Sequence, residues 1–156
     1  MYWKRPHISK IYEALTAIAD SRIELDGFNR AKCYSSSGNK YYEVKYDSKS
    51  DSIMSNDNTA YYTGSISYPM IALLMLKGRI KYNQELLPNL IGIRWKDVNQ
   101  KFNNDYDKAV EYVLAGLESK GTDVKPVRDE IERMYSIIEK LKLEYLGQKR
   151  KPPLAY

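Results

Sequence analysis

Residues Met70 to Leu76 read Met-Ile-Ala-Leu-Leu-Met-Leu, an apolar run with no polar interruption. On a helix such a run is hydrophobic all round, and a helix of that kind has no face to offer water. The segment carries helix punctuation: Ser67 as a cap, Pro69 in the first turn where a missing N–H costs nothing, and Gly78 as a stop. A buried central helix follows, and the rest of the chain has to wrap it. The run is far shorter than the ~18–20 residues a membrane span needs, so no membrane association is expected.

Upstream of that helix, Ile8, Ile11, Leu15, Ile18 and Leu25 share one helical face, with Glu13, Asp20, Arg22 and Glu24 supplying much of the rest. The spacing predicts one amphipathic helix over 8–25, ended by Gly27. The period then changes to two. Tyr42, Val44 and Tyr46 alternate with Tyr41, Glu43 and Lys45, as on a strand with two unlike faces. Gly38-Asn39 turns this strand back on residues 31–36, a third strand is expected over 52–55, and Asn56-Asp57-Asn58 closes the unit. The connections are too short for parallel crossovers, so the pattern predicts an antiparallel three-stranded meander over about 30–58.

Downstream the periodicity is helical again. Pro88 interrupts residues 83–92, and a short helix is expected from Trp95 to Phe102. Asn104 is the expected cap of the next helix, which runs toward Gly121. Asp123 and Pro126 open the last one. There Val127, Ile131, Met134, Ile138, Leu141 and Tyr145 follow a heptad seam that Gly147 would end. The expected fold class is α+β, predominantly helical: an N-terminal helix, the small meander, then a C-terminal bundle of about four helices. A chain of 156 residues suits one domain, taken as 1–147. Residues 148–156, with Lys149, Arg150, Lys151 and two prolines, read as a basic extended tail.

The chain excludes several chemistries. His7 is the only histidine, which removes paired-His metal motifs; a surface or packing role is expected for it. Cys33 is the only cysteine, so no internal disulfide exists. It lies on a strand with Lys32 pointing to the other face, and reads as a buried structural thiol. Ser35-Ser36-Ser37-Gly38-Asn39-Lys40 resembles a phosphate loop only in part, because the earlier glycine is missing and a strand follows; a polar hairpin turn is expected. Asp47, Asp51 and Asp57 sit in polar loops and read as solvated turn residues. No metal and no cofactor is expected. The start, Met-Tyr-Trp-Lys-Arg-Pro-His, lacks the apolar core of a signal peptide, so a cytoplasmic location is the expectation.

One segment points toward a partner. Lys77, Arg79, Lys81, Arg94, Lys96 and Lys101 face only Glu85 and Asp97, with Tyr82, Trp95 and Phe102 interleaved. Cations contact phosphates and flat rings stack on unpaired bases, so Lys77, Arg79, Lys81, Arg94, Trp95, Lys96 and Lys101 are the candidate nucleic-acid contacts. The competing reading has Trp95 and Phe102 anchoring a core while the lysines solvate the outside. The heptad seam likewise packs either within the chain or against a second copy, and partner faces within the chain favour the first. Fifteen tyrosines suit sheet faces, interfaces and stacking surfaces alike, and a net charge of +5 speaks to encounter rather than function. No motif assigns an activity. The leading expectation is a small binding or adaptor protein without a catalytic motif, working through a protein partner or self-association. Nucleic-acid association through 77–102 is the alternative. An enzyme whose carboxylate and tyrosine chemistry leaves no linear trace is the second alternative.

Overall fold

The computed structural model describes residues 1–154. Its helices are α1 (Ser9–Ala19), α2 (Tyr68–Leu76), α3 (Trp95–Lys101), α4 (Tyr106–Ser119) and α5 (Lys125–Ile138). A π-helical turn (Thr59–Thr63) and a 3-10 stretch (Gln84–Leu90) join them. The strands are β1 (Ile23–Leu25), β2 (Arg30–Tyr34), β3 (Tyr41–Asp47), β4 (Ser52–Ser55) and β5 (Glu144–Tyr145), lying in sequence order in one sheet. The first four pair antiparallel, and β5 joins β4 in parallel.

The fold is therefore α+β, but not a three-stranded meander followed by a helical bundle. Seven helical segments among the described residues pack with a five-stranded mixed sheet. Both extra strands come from segments whose apolar spacing fits a helix. The helix expected over 8–25 ends at Ala19. Ser21 turns into the left-handed region (φ 54°), and the Arg22 amide donates back to the Ala17 carbonyl at 2.8 Å. Ile23–Leu25 then leave as an edge strand, paired with Ala31–Cys33. The heptad seam is real only to Ile138: Val127, Ile131, Met134 and Ile138 are buried within the chain. Beyond it, Leu141, Leu143 and Tyr145 are spaced by two, and Leu143 is fully buried while Lys142 and Glu144 are exposed. That is strand alternation, and it carries β5 alongside Ser52 and Ile53.

The N-terminus completes the closure. Trp3 stacks on Tyr145 with ring centroids 4.0 Å apart. Its Nε1 donates to the Ile53 carbonyl at 2.8 Å, and its amide donates to the Leu143 carbonyl at 2.9 Å.

The central helix is where the apolar run places it. Pro69 to Met75 are buried, packed against α1 and the inner faces of β3 and β4. Along β3, Tyr42, Val44 and Tyr46 face inward. Ser67 precedes α2 in an extended conformation, but its hydroxyl does not cap the helix; it donates to Asp57 at 2.5 Å. Asp105, rather than Asn104, caps α4 by accepting from the Lys108 amide at 3.2 Å. Among the described residues no helix is long and apolar enough to cross a membrane.

Candidate functional site

Helix α1 is buried almost all round: every residue from Ser9 to Ala17 is inaccessible. Its polar residues cannot all reach water, and three of them, Lys10, Glu13 and Thr16, recur every third position along one stripe. Thr16 is satisfied by Trp95, whose Nε1 donates to its hydroxyl at 3.0 Å. Lys10 and Glu13 instead border a cavity of about 400 Å³.

That cavity is walled by four parts of the chain. From α1 come Lys10 and Glu13; from the turn after it, Arg22. The β2–β3 hairpin contributes Ser35, Ser36, Lys40 and Tyr42. Asp57, Asn58, Thr59 and Tyr68 come from the approach to α2, and Trp95, Lys96, Asn99, Gln100 and Asn104 from α3 and its end. The interior is polar and charged, unlike the leucine- and isoleucine-rich core beside it.

Lys10 Nζ lies 3.0 Å from Glu13 Oε2, with both side chains more than nine-tenths buried, and sits 4.2 Å over the Tyr106 ring. Burial alone would push the Lys10 ammonium down. The charge of Glu13 and its neighbours outweighs that and holds Lys10 above its ordinary value. Lys10 is therefore a fixed cation, not a free amine nucleophile. Apart from that ammonium, Glu13 Oε2 has no hydrogen-bond partner among the described residues. Arg22 Nη1 donates to the Tyr34 carbonyl at 2.7 Å. Its Nε stands 3.7 Å from Asp20 and is likewise without a hydrogen bond. Asn99, another residue of the cavity wall, has a buried Oδ1 without a hydrogen bond.

Asp57 is not the solvated turn residue its loop suggests. It is 3% exposed and accepts from Ser55 Oγ at 2.6 Å, Ser67 Oγ at 2.5 Å and the Ala60 amide at 2.9 Å. Behind it, burial pushes the Tyr42 phenol up to about 12, with the Asp57 charge adding to it. Burial raises the Tyr68 phenol as well. Cys33, beside Tyr68, is also pushed up to about 12 by burial, so it is an inert thiol. Both phenols bordering the cavity are neutral hydrogen-bonding groups at ordinary pH.

The basic segment of the chain is divided among several places. Trp95 is buried, 2% exposed, borders the cavity and has its indole N–H taken by Thr16. Lys96, next to it, borders the cavity. Arg79 makes a two-point contact with Asp51 in the β3–β4 turn. Arg94 pairs with Asp97 at 2.9 Å. Lys77 donates to the Phe28 carbonyl at 2.7 Å, Lys101 lies 4.2 Å over the Tyr112 ring, and Lys81 is exposed. In the tail, Lys149 donates to the Tyr61 carbonyl at 3.3 Å and Arg150 to Glu43 at 2.9 Å.

Lys10, Glu13, Arg22, Asp57 and Asn99 have no linear motif to announce them. One signal was present: a polar stripe on α1 too narrow for a solvated face, flanked by Ile11, Tyr12, Ala14 and Leu15. The serine-rich hairpin is a polar turn, closed by the Ser35 amide donating to the Lys40 carbonyl at 2.9 Å. Two of its serines reach the cavity.

The model of one protein family, described as Uncharacterised conserved protein UCP014422, matches residues 3–144. No curated protein and no solved structure matches the chain.

Proposed function

The chain belongs to that family, whose description assigns no activity, and we propose from the cavity itself that the protein binds a small polar molecule between α1, the β2–β3 hairpin and α3. One observation carries the reading. Arg22 Nε and Asn99 Oδ1 are buried polar atoms without hydrogen bonds, and both belong to residues bordering this one cavity, beside the buried Lys10–Glu13 ion pair. An unpaired buried polar atom costs about 1–3 kcal/mol, and folded proteins keep few of them. Two of them and a buried ion pair around one space are what a site evolved to pair with a ligand leaves behind. Its size falls in the range of small-molecule sites. Glu13, with the Lys10 ammonium beside it, is placed to hold or accept a proton from such a ligand, which keeps enzymatic proton transfer within the reading.

The test separates binding from architecture at Asn99. Asn99→Leu conserves volume while deleting an unpaired carbonyl. The apo protein should keep its stability within about 1 kcal/mol, or gain. Ligands found by thermal-shift screening of the wild type should lose their effect on the variant. A fall of more than about 2 kcal/mol in the apo protein would make Asn99 a structural residue and remove the central support.

Nucleic-acid association through Lys77, Arg79, Lys81, Arg94, Trp95, Lys96 and Lys101, and an adaptor role through a protein partner or a second copy, are separate proposals. Oligonucleotide titration at several salt concentrations checks the first, since phosphate contacts weaken steeply with salt. Sedimentation checks self-association.

A further inference from the structure

Resting on the cavity being a ligand site, we propose that its ligand is a phosphomonoester of a small molecule bearing hydroxyl or amino groups, with the phosphate held at the wall formed by Arg22, the β2–β3 hairpin and Lys96. Three contacts assemble that wall. Arg22 is tied to the end of β2 through the Tyr34 carbonyl at 2.7 Å. The hairpin closes from Ser35 to Lys40 at 2.9 Å. The Gly92 amide donates to Asp20 at 2.8 Å, which brings the segment leading into α3 beside the Arg22 turn.

Charge selects the anion. Glu13 is answered by Lys10 at 3.0 Å, and Arg22 has Asp20 at 3.7 Å. The Asp57 carboxylate is occupied by two serine hydroxyls and an amide. Lys40 and Lys96 border the same cavity, and neither joins any of the ion pairs found among the described residues. Two uncompensated cations suit a monoester carrying about −1.5 to −2 near pH 7 better than a carboxylate with half that charge. The hydroxyl of Ser36 adds a neutral donor to the same wall, while Ser35 Oγ already donates to Asn39 Oδ1 at 3.2 Å.

Phosphate alone leaves the rest of the cavity unanswered. Asn99 Oδ1 is an acceptor without a donor, and the Glu13 carboxylate can accept beyond its contact with Lys10; an acceptor-rich anion pairs with neither. Donors have to come from the body of the ligand, and hydroxyl or amino groups are the simplest that do. The inference is one of recognition and involves no bond made or broken.

Calorimetric titration with matched probes decides it. The probes are sugars, nucleosides and amino alcohols, each with and without a single phosphate, together with inorganic phosphate. At least one phosphorylated member should bind about tenfold or more tighter than its dephosphorylated counterpart and than inorganic phosphate. Lys40→Met/Lys96→Met should erase the gain from the phosphate while circular dichroism stays unchanged. Asn99→Leu should weaken the whole ligand and leave inorganic phosphate unaffected. Equal affinity with and without phosphate, still sensitive to Asn99→Leu, would overturn the phosphate assignment and spare the ligand site. No binding by any probe, or binding indifferent to Asn99→Leu, would overturn both.

Discussion

At the scale of single residues, the Lys10–Glu13 pair is the strongest departure from an ordinary core. Both side chains are more than nine-tenths buried, with 3.0 Å between Nζ and Oε2. Removing one member of such a pair leaves the other charged and dry, at a cost of about 3–5 kcal/mol. Lys10→Met should therefore destabilise the protein by roughly 3 kcal/mol in urea unfolding. Lys10→Met/Glu13→Leu should recover most of that loss, because an apolar pair of similar volume needs no compensation. Additive effects in the cycle would mean that the two groups do not depend on each other. Neither residue is conspicuous in the sequence. Glu13 falls among the polar residues of an apparently amphipathic helix, where solvent is the default. What hides the pair is burial of α1 on its polar side by α3 and α4, a tertiary fact that helical periodicity does not carry. Cys33 and Trp95 are the opposite case: strand parity and the spacing of Trp95 from Phe102 point to core positions, and both side chains are in the core.

At the scale of elements, Asp57 is the node that joins three of them. It ties the end of β4 through Ser55, the π-helical turn through the Ala60 amide, and the start of α2 through Ser67. Asp57→Ala should cost roughly 4 kcal/mol or more, since three hydrogen bonds to a charged group, worth about 1.5–3 kcal/mol each, are lost and their donors stranded. Asp57→Asn should cost less, as one oxygen remains to accept. Hydrogen exchange should show the loss at residues 59–71 before it appears in β1–β2; uniform loss across the sheet would show that Asp57 is not a local node. Asp57 was legible as a turn residue but not as a buried one, because an Asn-Asp-Asn string looks the same in either setting. The missed strands have a related cause. In β1 and β5 the apolar spacing of Ile23 and Leu25, or of Leu141 and Tyr145, fits a helical stripe as well as a pleat. Only pairing with β2 and β4, a long-range event for β5, decides between them.

At the scale of the whole molecule, the tyrosines tie stability to alkaline pH. Tyr12, Tyr42 and Tyr46 are each at most 7% exposed, and burial pushes each phenol up to about 12 from an ordinary value near 10. In the unfolded chain these phenols ionise near pH 10, whereas the fold holds them neutral. The stability they contribute is fully present below pH 10 and is lost as pH rises toward 12. One unit above pH 10, a phenol held fully neutral costs up to about 1.4 kcal/mol, and with solvent screening at the partly wetted hydroxyls the three together cost on the order of 2–3 kcal/mol. Cys33, raised to about 12 from an ordinary value of 9, adds to that loss from lower pH onward. Against a typical total of about 5–15 kcal/mol, that sum is decisive. The protein should unfold cooperatively between about pH 11 and 12, with the tyrosinate absorbance rising together with loss of far-ultraviolet dichroism. Tyr12→Phe/Tyr42→Phe removes two of the ionising groups and should move the midpoint upward. An absorbance rise completed near pH 10 with the fold intact would show that these rings are accessible to hydroxide. The sheet interior and the packing of α1 would then be looser than close-packed tyrosines require.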